Sequence, residues 1–333
     1  MLVRAMIRGG RSILAATMNV SRPRVLLPFA LLLAILAVST ASIFIRFAQR
    51  DVPSPVVAAL RLTIATAVLA PVALVRYRPA LSALTLRSRL SAGLSGIFLA
   101  IHFATWISSL EYTTVASSVV FVSTGPMWVA LLSPALLNER VRTATLLGLV
   151  LAILGSAVVA LSGACVWNAG LECMDLAAVI RGQAMWGNLL ALIGAWAVAG
   201  YLIVGRKLRA GLSLIPYIFL VYGVAACVLL LIMVAAGDSP FGHPGEAYVW
   251  IFLLAVVPQL IGHTAYNWAL GYAPATFVAT ATLGEPIGSA ALAYFVLDES
   301  PGLGVVAGGF LILCGLVLAT RSTRPDSGHA GKV

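Results

Sequence analysis

From position 26 onward, apolar residues run for about twenty positions at a time, and polar or charged residues are confined to short gaps between the runs. A helix needs about 20 apolar residues to cross roughly 30 Å of hydrocarbon. By that measure the chain predicts membrane spans at residues 26–45, 55–75, 90–110, 114–137 and 144–161. Five more are predicted at 184–204, 214–236, 247–270, 274–297 and 303–319. The connections are short, and only 162–183 leaves room for local structure. The expected fold is an all-α membrane protein of ten transmembrane helices.

Composition supports this class. Of 333 residues, 61% are hydrophobic and 10% charged, and the mean hydropathy is +1.03. Soluble domains average about 25% charged residues. A net charge of +10 would suggest nucleic acid in a soluble protein. Here the basic residues sit between apolar runs, so the expected partner is the lipid bilayer and nucleic acid is excluded. With the N-terminus inside, inner segments hold Arg4, Arg8, Arg11, Arg22, Arg24, Arg76, Arg78, Arg87 and Arg89. Further along they hold Arg140, Arg142, Arg206, Lys207, Arg209, Arg321, Arg324 and Lys332, which makes 17 of the 21 basic residues. Outer loops hold Arg46, Arg50 and Arg181, and Arg61 lies within a span. Such an inside bias sets membrane orientation. It predicts a multi-pass protein of the cytoplasmic (inner) cell membrane, with both termini cytoplasmic. The short apolar patch at 13–16 cannot span, so the basic start of the chain reads as a tail, and Met18 offers an alternative start.

An ungapped offset of 160 residues aligns the chain with itself. It matches Leu110 with Leu270, Tyr112 with Tyr272, Pro126 with Pro286, Leu137 with Leu297 and Glu139 with Glu299. Gly148 also falls on Gly308, and Gly155 on Gly315. Each half holds an odd number of spans, so the second enters from the opposite side, giving two inverted five-helix repeats. Glu139 is expected at the inner surface and Glu299 at the outer one. The expected organisation is a basic cytoplasmic tail (1–24), a first repeat (25–162), an extracytoplasmic loop (163–183), a second repeat (184–320) and a cytoplasmic tail (321–333). Oppositely oriented copies of one fold are the construction of alternating access.

The stretches Leu110-Glu-Tyr-Thr-Thr-Val-Ala through Pro126 to Leu136-Leu-Asn-Glu139-Arg140, and Leu270-Gly-Tyr-Ala-Pro-Ala through Gly284-Glu285-Pro286 to Leu297-Asp-Glu299, resemble a known signature. They are similar to the paired motif of EamA-type transporters in the drug/metabolite transporter superfamily. The resemblance covers about residues 25–320 and implies a ten-helix exporter or importer of small molecules, with a central cavity between the halves. Members handle amino acids, nucleobases, sugars and cofactors, so the resemblance does not name the substrate.

Ionisable groups inside spans are costly and default to functional hypotheses. Glu285 lies near the middle of the ninth span, before Pro286, and its repeat mate is Gly125. Proline at this point would kink the helix and free carbonyls near mid-membrane. Glu285 could exchange a proton or bind a cationic substrate group, or be a buried Glu that holds the repeat together. Arg61 could counter an anionic substrate or pair with Glu285, but its place near the outer end of its span favours snorkelling to the interface. His102 and Trp106 share a helix face, as do His263, Tyr266 and Asn267, and the repeat register pairs Trp106 with Tyr266. These faces would make a floor and roof for a flat or amphipathic substrate; the alternative is packing, with each histidine bonded to a backbone carbonyl. Trp196 is a further candidate for the cavity, whereas Trp186 and Trp250 read as interfacial anchors.

Gly148, Ala152 and Gly155, with Gly304, Gly308 and Gly309, suit tight packing within each half, with a homodimer contact as the alternative use. Cys227 and Cys314 read as inert packed thiols, while Cys165 and Cys173 share the outer loop and could form a disulfide there. No cysteine spacing suits a metal, and no cofactor is expected. The chain has no Gly-rich phosphate loop ending in Lys-Ser or Lys-Thr. A membrane-embedded enzyme would need a paired-carboxylate or H-E-x-x-H site, against which the single mid-span carboxylate argues. The expected function is therefore secondary transport of a small metabolite, export more than import, with proton coupling as an option. The alternative is translocation of a lipid-linked or polyisoprenoid-linked carrier, which would need a lateral, lipid-facing groove.

Overall fold

A computed structural model describes residues 22–137 and 182–321, with scattered positions between 143 and 173. The tails at 1–21 and 322–333, most of the predicted fifth span, most of the 162–183 loop, and Glu139, Arg140, Arg142 and Arg181 lie outside the described residues. Among the described residues, seven helical stretches are long and apolar enough to cross a membrane. They are Leu26–Ala48, Ser54–Arg76, Leu86–Tyr112, Val115–Leu137, Gln183–Arg209, Leu214–Ala235 and Gly245–Ala269. The protein is thus helical and multi-pass, apart from one short hairpin.

In chain order the elements are α1 (Arg22–Ser39), α2 (Ala41–Ala48), α3 (Ser54–Arg76), α4 (Arg78–Ser82), α5 (Leu86–Tyr112), α6 (Val115–Val122) and α7 (Gly125–Leu137). The hairpin is β1 (Cys165–Trp167) and β2 (Leu171–Cys173), antiparallel, with Cys165 opposite Cys173 in the register. Then come α8 (Gln183–Arg209), α9 (Leu214–Ala235), α10 (Gly245–Leu254), a π-helical segment (Ala255–His263) and α11 (Thr264–Ala269). The described chain ends with α12 (Ala275–Ala281), α13 (Gly284–Leu297) and α14 (Leu303–Arg321).

The repeat governs this layout. The predicted fourth and ninth spans are both broken, into α6 and α7 and into α12 and α13. The 160-residue offset carries Val115 onto Ala275 and Leu137 onto Leu297, so the ends of the two broken spans coincide. The expected proline kink is corrected by this geometry. The break lies at Thr282–Leu283, and Pro286 sits in the first turn of α13, where an absent N–H breaks no helical bond. Pro126 occupies the same place in α7.

Polar contacts repeat in the same register. The Arg46 Nη1 donates to the Leu110 carbonyl at 2.6 Å, and Arg206, its mate, donates to the Leu270 carbonyl at 2.7 Å. Gln49 donates to the Ile107 carbonyl at 2.8 Å, and Arg209 to the Asn267 carbonyl at 3.0 Å. Helix α8 packs along α5, α1 packs on the π segment and α11, and α3 packs against α9. Each half therefore lends a helix to the other. Beyond this, Arg46 Nη2 pairs with Glu299 at 2.8 Å, and the second carboxylate oxygen of Glu299 accepts the Val115 amide at 2.9 Å. This joins α2, the start of α6 and the end of α13. Nearby, Glu111 accepts both the amide and the hydroxyl of Ser54.

Close helix crossings use glycine. A Cβ on Gly96 would lie 2.7 Å from Val224 Cβ and 2.8 Å from the Val221 carbonyl, so α5 and α9 meet there with no spare space. A Cβ on Gly155 would meet the Gly308 carbonyl at 2.5 Å and Ile312 at 2.8 Å. The glycine packing expected within each half thus joins the two halves at this point. Cys227 and Cys314 are also corrected, because both are exposed on the apolar surface of the bundle rather than packed inside it.

Two outcomes follow. Gly96→Val should lower the thermal midpoint of the detergent-solubilised protein by the equivalent of roughly 1–3 kcal/mol, whereas Gly93→Ala, inside the same helix and with nothing within 4 Å of its added Cβ, should not lower it. A double-mutant cycle on Arg46→Ala and Glu299→Ala, read from denaturant midpoints, should give a coupling of about 1–3 kcal/mol; additive losses would mean that the pair contributes nothing.

Candidate functional site

The chamber lies where the two helix breaks face each other. About 50 Å³ of it admits a water-sized sphere, room for a few waters, so the chamber is nearly closed in this conformation. Much of its wall comes in repeat pairs: Val38 and Val198, Trp106 and Tyr266, Val122 and Thr282, and Gly125 and Glu285. Positions 160 residues apart thus face one space, which places the chamber on the symmetry element relating the halves. Its contents are less symmetric than its frame, because Glu285 stands where the first half has glycine.

Five of the candidates are brought together: Glu285, His102, Trp106, His263 and Tyr266 all line the chamber. Glu285 is in the first turn of α13, where free amide groups and the helix dipole favour a negative charge. His102 sits on α5 with Trp106 one turn further on, their rings stacked at 5.8 Å between centroids. The Nδ1 of His102 faces the Gly194 carbonyl at 2.9 Å. A carbonyl only accepts, so this nitrogen carries the hydrogen and Nε2 of the neutral ring is an acceptor. The carbonyl-bonded reading is therefore realised for His102. Among the described residues no such bond holds His263, whose ring lies edge-on to Phe103 at 5.2 Å and to Tyr266 at 6.5 Å.

His263 closes the nine-residue π segment, which also carries Pro258 and Gln259. A π-helix accommodates extra backbone within a helix and is frequent at functional sites. Here Pro258 supplies the cause, since it has no N–H for an α-helical bond. The wider turn sets Gln259 opposite α3, where its Oε1 accepts from Arg61 Nε at 3.0 Å.

Arg61 departs from expectation. It has no exposed surface and does not snorkel. Its guanidinium carbon lies 4.0 Å from the centroid of the Phe103 ring, a cation–π contact. Its Nη1 and Nη2 are buried without a hydrogen-bond partner among the described residues. It stands outside the chamber wall, behind Phe103, within electrostatic reach of Glu285.

Asn267 also lies one layer back. It accepts from the Tyr201 hydroxyl at 2.5 Å and donates to the Tyr222 hydroxyl at 3.1 Å, so it fixes Tyr201, which lines the chamber. Trp196 is not in the chamber. It is 46% exposed on the far face of α8 and packs edge-on against Trp128. Trp250, expected as an anchor, stacks on Phe47 at 4.6 Å, while Trp186 is exposed. Pro126 lines the chamber and Pro286 is buried beside it. Glu299 belongs to the Arg46 pair and not to this site. Sequence reasoning missed Tyr201, Ser123 and Thr282. The last two had a signal, because they lie three or four residues before the paired prolines, where both spans break.

The profile of the EamA-like transporter family matches residues 26–161 and again 185–321. Two proteins of Archaeoglobus fulgidus, each described as an uncharacterized transporter, are similar over much of the chain. One is 24% identical over 225 residues, covering 68% of this chain and 74% of its own. The other is 23% identical over 233 residues, covering 68% and 73%. A solved crystal structure, 22% identical, superposes with a TM-score of 0.61 over 89% of this chain and 96% of its own, a likeness of fold. Matched twice along nearly its whole length, the chain belongs to the EamA-like transporter family.

Proposed function

We propose that the chain is a secondary carrier of a small amphipathic metabolite, working by alternating access around the chamber at the repeat junction. The observation that carries this reading is the lining itself, where four repeat-related pairs of positions face one space. A site on the symmetry element is one that either half can uncover by rocking against the other. In this reading the protein has ten spans in two inverted halves, with both termini cytoplasmic in the cell membrane, and it acts as an exporter.

The substrate would have a flat apolar body held between Trp106 and Tyr266 and a donor or cationic group meeting Glu285. Acceptors at Glu285 and His102 Nε2 favour a ligand rich in N–H or O–H groups. Arg61 would offset the carboxylate charge from behind the wall, so that a cationic group or a proton is held without being trapped. Proton exchange at Glu285 would then couple transport to pH. The alternative, translocation of a lipid-linked carrier, finds less support, because a recess on the outer face of α8, lined by Phe98, Leu132 and Trp196, shares no lining residue with the chamber.

The substrate class is open to a metabolite screen comparing export from overexpressing and deletion cells. With a substrate in hand, Glu285→Gln should abolish the pH dependence of counterflow in proteoliposomes; unchanged dependence removes Glu285 from coupling. Trp106→Ala should raise KM by roughly tenfold at equal protein level, the loss of one aromatic wall. An unaltered KM would put the substrate elsewhere.

A further inference from the structure

A second recess lies on the outside of the bundle, between α5, α7 and α8. Its open volume, about 640 Å³ against about 50 Å³, exceeds that of the chamber. The recess is polar at one end and apolar along the rest. Arg87, Ser88 and Ser91 from the start of α5 meet Lys207 from the end of α8 at the polar end. Leu94, Phe98, Leu132, Leu136 and Trp196 continue it towards mid-membrane.

Several facts point to one kind of occupant. Helices α5 and α8 run antiparallel, as the His102–Gly194 and Ser95–Tyr201 contacts require, so Arg87 and Lys207 lie at the same level. Both are exposed, and neither has an ion-pair partner among the described residues. Within α5, α7 and α8 the sole acidic residue is Glu111, at the opposite end of α5. Glu139, two positions beyond α7, is followed by Arg140 and Arg142 in sequence, so this end stays net basic. The N-terminus of α5 also opens here, and it adds a partial positive charge. An occupant must be anionic at one end and carry a hydrocarbon chain at the other.

We infer that this groove binds an anionic phospholipid, its phosphate held by Arg87, Lys207 and the two serines and one acyl chain laid along Leu94, Phe98 and Trp196. Basic pockets between membrane helices at headgroup level recognise anionic lipids in this way. The site has a bearing on transport. Helix α8 turns Val198, Tyr201 and Leu202 to the chamber and Trp196, Gly200, Val204 and Lys207 to the groove. A lipid seated there braces the back of a helix whose front lines the substrate chamber.

The test is native mass spectrometry of the full chain in a non-ionic detergent, titrated with phosphatidylglycerol, with phosphatidylcholine of the same chains, or with inorganic phosphate. Phosphatidylglycerol should bind at a concentration on the order of tenfold lower than phosphatidylcholine, and inorganic phosphate should leave no adduct. Arg87→Gln combined with Lys207→Gln should remove the preference, while Arg50→Gln, elsewhere on the chain, should leave it intact. Leu94→Trp, which fills the groove with both charges in place, should weaken phosphatidylglycerol binding by a similar factor. Equal binding of the two lipids, a preference that survives the double substitution, or phosphate binding as tight as that of the lipid would overturn the assignment.

Discussion

A chain inside hydrocarbon cannot leave backbone groups unpaired, and this constraint decides where the functional part of the molecule can be. Both breaks, at 123–124 and at 282–283, interrupt a helix in an apolar bundle. Each is repaired locally by a threonine. The Thr124 hydroxyl donates to the Phe121 carbonyl at 2.8 Å, and the Thr124 carbonyl accepts the Met127 amide at 2.9 Å. The Thr282 hydroxyl donates to the Ala279 carbonyl at 2.7 Å, and its carbonyl accepts the Glu285 amide at 2.9 Å. Ser123 and Thr282, at the two breaks, line the chamber. Broken backbone at membrane depth is tolerated where it lines such a space, so the chamber and the breaks account for each other.

The same economy applies to charge. Arg61 is fully enclosed, with one bond to Gln259 and a ring beneath it. A guanidinium without a carboxylate partner in such surroundings is expensive. Its presence is intelligible if the charge acts on the chamber one layer away. By contrast, Arg46 and Arg206 hold the ends of the molecule. Each ties a helix to the carbonyl that ends its neighbour, on Leu110 or Leu270, and these are static duties repeated by the duplication.

What the sequence made legible was periodicity and duplication. Spans could be read because twenty-residue apolar runs have one physical use, and the offset of 160 was visible because Pro, Tyr and Glu rarely fall into register by chance. The chamber was half legible: His102, Trp106, His263, Tyr266 and Glu285 stood out as polar or aromatic residues on apolar helices. Arg61 and Trp196 were misjudged for one reason. Distance along a span tells how deep a residue sits but not which way it faces, and facing is set by α9 and the π segment for Arg61 and by α7 for Trp196. The breaks were missed because proline signals a discontinuity without fixing its position; here it begins the half-helix that follows the gap.

The asymmetry of charge in the chamber has a physical reason. Were Gly125 also a glutamate, the duplication would point two carboxylates into one small space, and two like charges at close range in a low dielectric cannot both stay ionised. One would hold a proton permanently, or the pair would bind a cation too tightly to release it. Glycine at 125 avoids this and also lets α7 approach α8, since a Cβ there would lie 2.9 Å from Val198. A single carboxylate, offset by the Arg61 charge behind Phe103, leaves the chamber near neutrality. On the proposed function, that is the condition under which a ligand can be held firmly in the membrane and still be let go on the other side.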